Sequence, residues 1–226
     1  MSVRAQQNLG SGVYQCKFAG VKQKNVAFLL LFFLSFSSFR QTQGMDEWVY
    51  EREKKGIKVF TKKSKWGHLR DSKVTMQVSA TPEEVVKYLS DFDNYPNWFP
   101  RCKKAQVVAK LNDNEFIAYL VFNAPWPVAD RDCVLRVKTE RDKQTGIITI
   151  TETSEPKCVA RKEDCFRIDQ IISTWKMVPK NGGTEITNEY ASNPGGNIPD
   201  WLINTQSVDN PMVTFENLQG KVVTKK

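Results

Sequence analysis

The 226-residue chain is predicted to be an α+β protein, a curved antiparallel sheet of about eight strands wrapped around one long C-terminal helix. Three features of the sequence predict this. Past residue 44, apolar and polar residues alternate over short runs, these runs are joined by tight turn sequences, and the pattern changes to three- and four-residue spacing only near the end.

The alternating runs are residues 57–63, 73–79, 105–111, 115–122, 132–140, 147–153, 166–178 and 184–190. The links "NDN", "DKQTG" and "PKNGG" suit hairpins, whereas parallel crossovers need a dozen residues or more. A meander is therefore expected. Two helices accompany it. The first opens at Thr81, an N-cap residue, with Pro82 in the first helical position and Glu83 and Glu84 at the positive end of the dipole. It carries Val85, Val86, Leu89 and Phe92 on one face and is expected to end near Asn94, because Pro96 disfavours helical geometry at Tyr95. The second follows "NPGGN" and starts at Pro199 and Asp200. Trp201, Leu202, Thr205, Val208, Met212, Phe215 and Leu218 form its broad apolar face. Pro211 must kink or split it, with Asp209 or Asn210 capping the second half.

A curled sheet of this size cannot leave its concave face in water, and the terminal helix is the only cover available. The runs "FIAYLVF" (116–122) and "IDQIISTW" (168–175) are apolar on both faces. Something besides the helix must therefore fill the concavity, either side chains alone or a ligand.

The formal charge of +8 points at first to nucleic acid, but residues 1–44 contribute +5 through Arg4, Lys17, Lys22, Lys24 and Arg40, with no acid among them. The remaining +3 is too little for a duplex-binding surface, and no nucleic-acid partner is expected. The same segment holds "VAFLLLFFLSFSSF", 14 residues where a spanning helix needs roughly 20. It reads as the apolar region of a signal peptide, with Thr42 and Gly44 permitting cleavage before Met45. The expectation is a leader at 1–44, a folded domain at 45–226 and export. The alternatives are an uncleaved anchor, or a cytoplasmic protein whose start is misplaced.

Export leaves Cys102, Cys133, Cys158 and Cys165 in the mature chain, able to form two disulfides in any of three pairings. Cys158–Cys165, flanking a hairpin loop, is the favoured pair; four reduced thiols are the alternative. There is no C-x-x-C spacing for zinc or thioredoxin-like chemistry.

Four segments in order, "SDFDNYPNWFPRC" (90–102), "APWPVADRDCVL" (124–135), "NPGGNIPDWLIN" (193–204) and "VDNPMVTFENL" (208–218), resemble the StAR-related lipid-transfer (START) domain family in its shorter bacterial-type form. The resemblance runs from about Trp48 to the C-terminus. More distantly the chain is similar to the polyketide cyclase and coenzyme-Q-binding (SRPBCC, Bet v1-like) superfamily. It implies a helix-grip fold around a hydrophobic tunnel for one lipid, sterol or other apolar small molecule. It also implies that the terminal helix supplies tunnel wall through Trp201, Thr205, Val208 and Met212. Tyr119, Trp175 and Tyr190 are the inward strand residues expected to join them. Trp126, between Pro125 and Pro127, is expected to plug or gate the tunnel rim. Arg131 is expected either to pin the loop together with Asp132 or to meet a headgroup as a planar charge.

An enzyme needs a nucleophile, a base or a metal. His68 is the only histidine, no G-x-S-x-G elbow accompanies it, and multi-histidine metal sites are excluded. The pair Glu152 and Glu189 is the remaining acid–base option, for a cyclase-like activity. Binding demands less. Each buried methylene contributes roughly 0.8 kcal/mol, so about ten reach the scale of micromolar affinity before ordering costs. A non-catalytic, monomeric lipid binder without metal or cofactor is the leading expectation, and a filled interaction module is a third reading. The lysine-rich run from Lys54 to Lys73 reads first as a solvated edge that resists strand pairing, with transient contact with an anionic membrane surface as the alternative.

Overall fold

The computed structural model describes residues 47–66, 69–196, 198 and 205–223. The predicted leader, His68 and Trp201 lie outside the described residues, as does the start of the last helix.

Ten strands are described: β1 (Val49–Lys54), β2 (Ile57–Lys63), β3 (Arg70–Val78), β4 (Cys102–Asn112), β5 (Glu115–Phe122), β6 (Asp130–Arg141), β7 (Ile148–Ser154), β8 (Cys165–Arg167), β9 (Gln170–Lys180) and β10 (Gly183–Asn193). The sheet order is β1-β2-β3-β10-β9-β7-β6-β5-β4, and β8 pairs with β6. It is not a simple meander. Between β3 and β4 the chain crosses to the opposite edge through α1 (Pro82–Leu89) and a 3₁₀ helix (Phe92–Asn97), which frees β3 to pair with β10.

Two strands exceed the eight expected. β1 escapes a pattern search because "VYEREK" is almost wholly exposed and so carries no burial alternation. The run 166–178 breaks in two because Ile168 donates its backbone N–H to the Asp132 carbonyl at 2.8 Å, drawing β8 alongside β6 in a parallel pair.

α1 begins as expected, with a capping box between Thr81 and Glu84. It stops at Leu89 rather than near Asn94. The tighter 3₁₀ helix then carries the chain through Pro96 and buries Phe92 and Tyr95. α2 (Asn210–Val223) follows a π-helical turn at Thr205–Asp209. Pro211 thus sits where the π-helical turn passes directly into α2, so its missing N–H coincides with a local change of helix type and not with a break in the chain of helical residues.

The apolar side chains form two cores. The larger fills the concave face of the sheet against α1, the 3₁₀ helix and α2. The smaller lies on the convex face, where Val108, Ile117, Tyr119, Val121 and Val134 pack against Cys158 and Val159 of the loop after β7. This accounts for the double-sided apolar run of β5: the alternate residues Ala118 and Leu120 serve the concave core, and Ile117, Tyr119 and Val121 the convex one.

Candidate functional site: a cavity under the C-terminal helix

A cavity of about 220 Å³ lies between the concave face of the sheet, the 3₁₀ segment and α2. Its apolar wall includes Phe92, Phe99, Leu120, Phe122, Leu135, Ile171, Trp175 and Phe215. Phe215 of α2 stacks on Trp175 of β9 with centroids 5.4 Å apart, while the rings of Phe92, Tyr95 and Phe99 stack in sequence at 4.4 and 5.2 Å.

Register places a polar row across this wall. Glu152 of β7 pairs with Ser173 of β9, Ser173 with Tyr190 of β10, and Tyr190 with Ser72 of β3. All four side chains line the cavity, together with Asn188. Asn188 donates through Nδ2 to Ser173 Oγ at 3.1 Å, and the Ser173 and Trp175 side chains both hydrogen-bond the Glu152 carboxyl. Burial outweighs those two bonds and pushes the carboxyl above the usual carboxylate range. Burial likewise pushes the Tyr190 phenol up to about 12.

The mouth is basic. Arg101, Asn123, Ala124, Val128 and Arg131 line it. Arg131 sits over the Phe166 ring at 5.6 Å, donates to the Ala129 carbonyl and feels the charge of the neighbouring Asp130, whose carboxylate also takes Lys103. Phe166 in turn lies against Gly195, whose φ is +62°. A Cβ there would come within 2.6 Å of the ring, so a glycine is needed for both reasons.

Of the residues singled out in the sequence, Arg131, Trp175 and Tyr190 meet in this cavity. Tyr119 does not: it points to the convex face and donates to Asp132 Oδ2 at 3.0 Å, and its neighbour Leu120 is the inward residue. In a strand apolar on both faces, alternation cannot say which set turns inward. Trp126 does not plug the tunnel either, being 91% exposed at the tip of its loop. The Asp130 carboxylate holds the base of that loop by accepting from Ala124 N at 3.1 Å and Lys103 Nζ at 3.2 Å. Met212 and Val208 pack in the concave core beside the cavity rather than in its wall, and Ser207, Asn210, Pro211, Thr214 and Phe215 are the α2-side residues that line it. Thr205 opens the π-helical turn, and its side chain is not among those described.

Residues 70–208 match the family described as polyketide cyclase / dehydrase and lipid transport. A StAR-related lipid transfer protein from Xanthomonas axonopodis is 30% identical, with a TM-score of 0.72 over 78% of this chain and 99% of that one. The chain belongs to this family, as a START protein. Human StAR-related lipid transfer protein 5 shares the START fold at 18% identity, with a TM-score of 0.66 over 81% of this chain and 88% of that one. Mouse phosphatidylcholine transfer protein is 24% identical over 164 residues, 70% of this chain and 75% of its own. An uncharacterised protein of Pseudomonas aeruginosa is 25% identical over 176 residues, 77% of this chain and 86% of its own.

In this START protein the "DRD" segment is split between the two faces of the sheet. Arg131 turns into the cavity and Asp132 away from it, because successive residues on a strand face opposite sides. Asp132 therefore pairs not with Arg131 but with Arg167, by bonds of 2.7 and 2.8 Å. Arg167 spends its other donors on the carbonyls of Pro156, Val159 and Ala160. The clamp ties the loop after β7 onto the convex core.

The expected Cys158–Cys165 bond is not made. Cys165 is a free thiol, as are Cys102 and Cys133, while Cys158 is disulfide-bonded elsewhere. Cys165 follows β8 onto the edge of β6, away from the hairpin geometry assumed for the pair. Cys133 faces the cavity, but burial holds it far above the thiolate range, and Cys102 rises to about 11. Neither is poised as a nucleophile. The acid–base option also dissolves: Glu152 lines the cavity, whereas Glu189 is exposed on the other face of β10.

The displaced Glu152 pKa has a measurable consequence. A carboxyl whose folded value lies above its unfolded one, here taken as 4.5, contributes stability that is fully present below about pH 4.5 and is lost as pH rises through the folded value. Glu152→Gln removes that dependence. Thermal melts of variant and parent should therefore diverge in the variant's favour as pH is raised from about 4.5 towards neutrality, and parallel Tm curves would contradict the assignment.

Proposed function

We propose that the protein binds one lipid or comparable apolar small molecule in this cavity and releases it chemically unchanged. The observation that carries this reading is an apolar cavity between sheet and α2 whose mouth is lined by the guanidiniums of Arg101 and Arg131. A water occupies roughly 10–15 Å³ of such space, so the cavity accommodates on the order of fifteen to twenty non-hydrogen atoms, the size of one acyl chain. The mouth then selects an anionic headgroup, for which the planar fork of Arg131 is suited.

The loop beside the mouth supports exchange at a membrane surface. Trp126 stands out from it, Phe166 is 43% exposed nearby, and Arg101 and Arg131 line the mouth beside them. An aromatic ring beside cations fits the headgroup layer of an anionic bilayer. The lysine-rich run named in the sequence serves less well, since Lys54 pairs with Glu216 at 2.8 Å and Lys62 and Lys73 rest on the Trp48 ring.

The test is uptake of fluorescent fatty acid from anionic vesicles by the full chain. Parent protein should extract it. Arg131→Ala should weaken retention by about tenfold through the lost charged hydrogen bonds, and Trp126→Ala should slow uptake without moving Tm. Failure of the parent to take up any probe from a broad lipid panel would overturn the reading.

A further inference from the structure

An acyl chain needs no polar contacts along its length, yet four buried polar side chains of the sheet face this cavity, Glu152, Ser173, Asn188 and Ser72, and the helix side adds Ser207 and Thr214. Glu152, Ser173 and Ser72 lie in one cross-strand row that continues through Tyr190, and Asn188 bonds into it at Ser173. Leaving hydroxyls and a carboxyl against an apolar space costs free energy that an all-apolar wall would avoid.

The row is also far from the mouth. Glu152 pairs with Val137, six residues along β6 from Arg131, roughly 20 Å of strand at about 3.3 Å per residue. The cavity thus carries a cationic opening and, well separated from it along β6, a hydrogen-bonding group at Glu152 and Ser173, besides the polar side chains that α2 and its preceding turn add. A ligand matching both has an anionic head and a second oxygen at its far end.

We propose that the Glu152–Ser173–Tyr190–Ser72 row is a subsite for a hydroxyl or carbonyl oxygen at the buried end of the ligand, so that the preferred ligands are chain-terminally oxygenated anionic lipids rather than plain fatty acids. The inference rests on the lipid-binding reading above. In it the Ser173 and Tyr190 hydroxyls both donate and accept and the Glu152 carboxyl accepts, so the row serves a hydroxyl or a carbonyl. Discrimination comes from the cost of leaving these groups unpaired against a terminal methyl. Burial of Glu152 favours its protonated form, the one that can also donate.

Palmitate and ω-hydroxypalmitate, identical but for the terminal hydroxyl, test it by competition against a bound fluorescent fatty acid. The parent should bind the hydroxy acid about tenfold more tightly. Glu152→Leu should bring the ratio close to one and tighten palmitate itself, whereas Arg131→Ala should weaken both acids together and preserve the ratio. Ser173→Ala, a smaller change in the same row, should lower the ratio partway and covers the case in which Glu152→Leu does not fold. A parent ratio within twofold of one, or a preference unchanged in both row variants, overturns the subsite while leaving lipid binding intact. Binding of neither acid overturns the lipid reading, and this inference with it.

Discussion

Asp132→Ala should lower the stability of the fold by about 3–5 kcal/mol, the effect expected when one partner of a buried ion pair is removed and the other stays buried. Both side chains of the Asp132–Arg167 pair are 1% exposed, and the contact is bidentate. The loss is not confined to the pair. Arg167 also holds three carbonyls of the loop over the convex core, and Tyr119 donates to the same carboxylate. Without Asp132 the guanidinium must either stay unpaired or pull out, taking the cover of Ile117, Val121 and Val134 with it. Urea titration should show a lower midpoint. The double variant Asp132→Leu with Arg167→Met should recover much of the loss, because apolar groups of similar size carry no desolvation penalty. A single variant within about 1 kcal/mol of the parent would show that the clamp does not stabilise the fold.

Phe215→Ala should cost about 3 kcal/mol or more, in the range for a buried aromatic truncated to alanine. Phe215 is fully buried, stacks on Trp175, and is the contact through which α2 closes the concave face. Because it also lines the cavity, the space it vacates joins the cavity instead of remaining a separate hole. The variant should therefore favour bulkier ligands than the parent, and a saturating branched or ring-bearing lipid should raise its Tm more than the parent's, since binding to the folded state alone adds stability. Equal Tm gains in both proteins would place Phe215 outside the ligand wall.

Much of the architecture was legible in the sequence because its signals are local. Strands 57–63 and 115–122 agree to the residue, and the Thr81 cap and the disturbance of the last helix beside Pro211 follow from backbone chemistry that needs no tertiary context. β1 was not legible, since an exposed edge strand leaves no apolar alternation to read. In the cavity, Arg131, Trp175 and Tyr190 were found, and the polar row was missed although the signal was present. Ser173 lies two residues from Trp175 and Asn188 two from Tyr190, on the same faces by the period of a strand.

By itself the sequence determined an antiparallel sheet gripping a C-terminal helix, the family to which the chain belongs, and a disturbance of that helix beside Pro211. These depend on spacing along the chain. Only the tertiary structure decided which face of β5 looks inward, that Asp132 belongs to Arg167 and not to its neighbour Arg131, and that Trp126 stands in solvent. It also aligned Glu152, Ser173, Tyr190 and Ser72 into one row from four separate strands. The reason is that periodicity states how side chains alternate but not which set faces the core. That choice is made by pairing between strands far apart in sequence and by the loop that covers the other side.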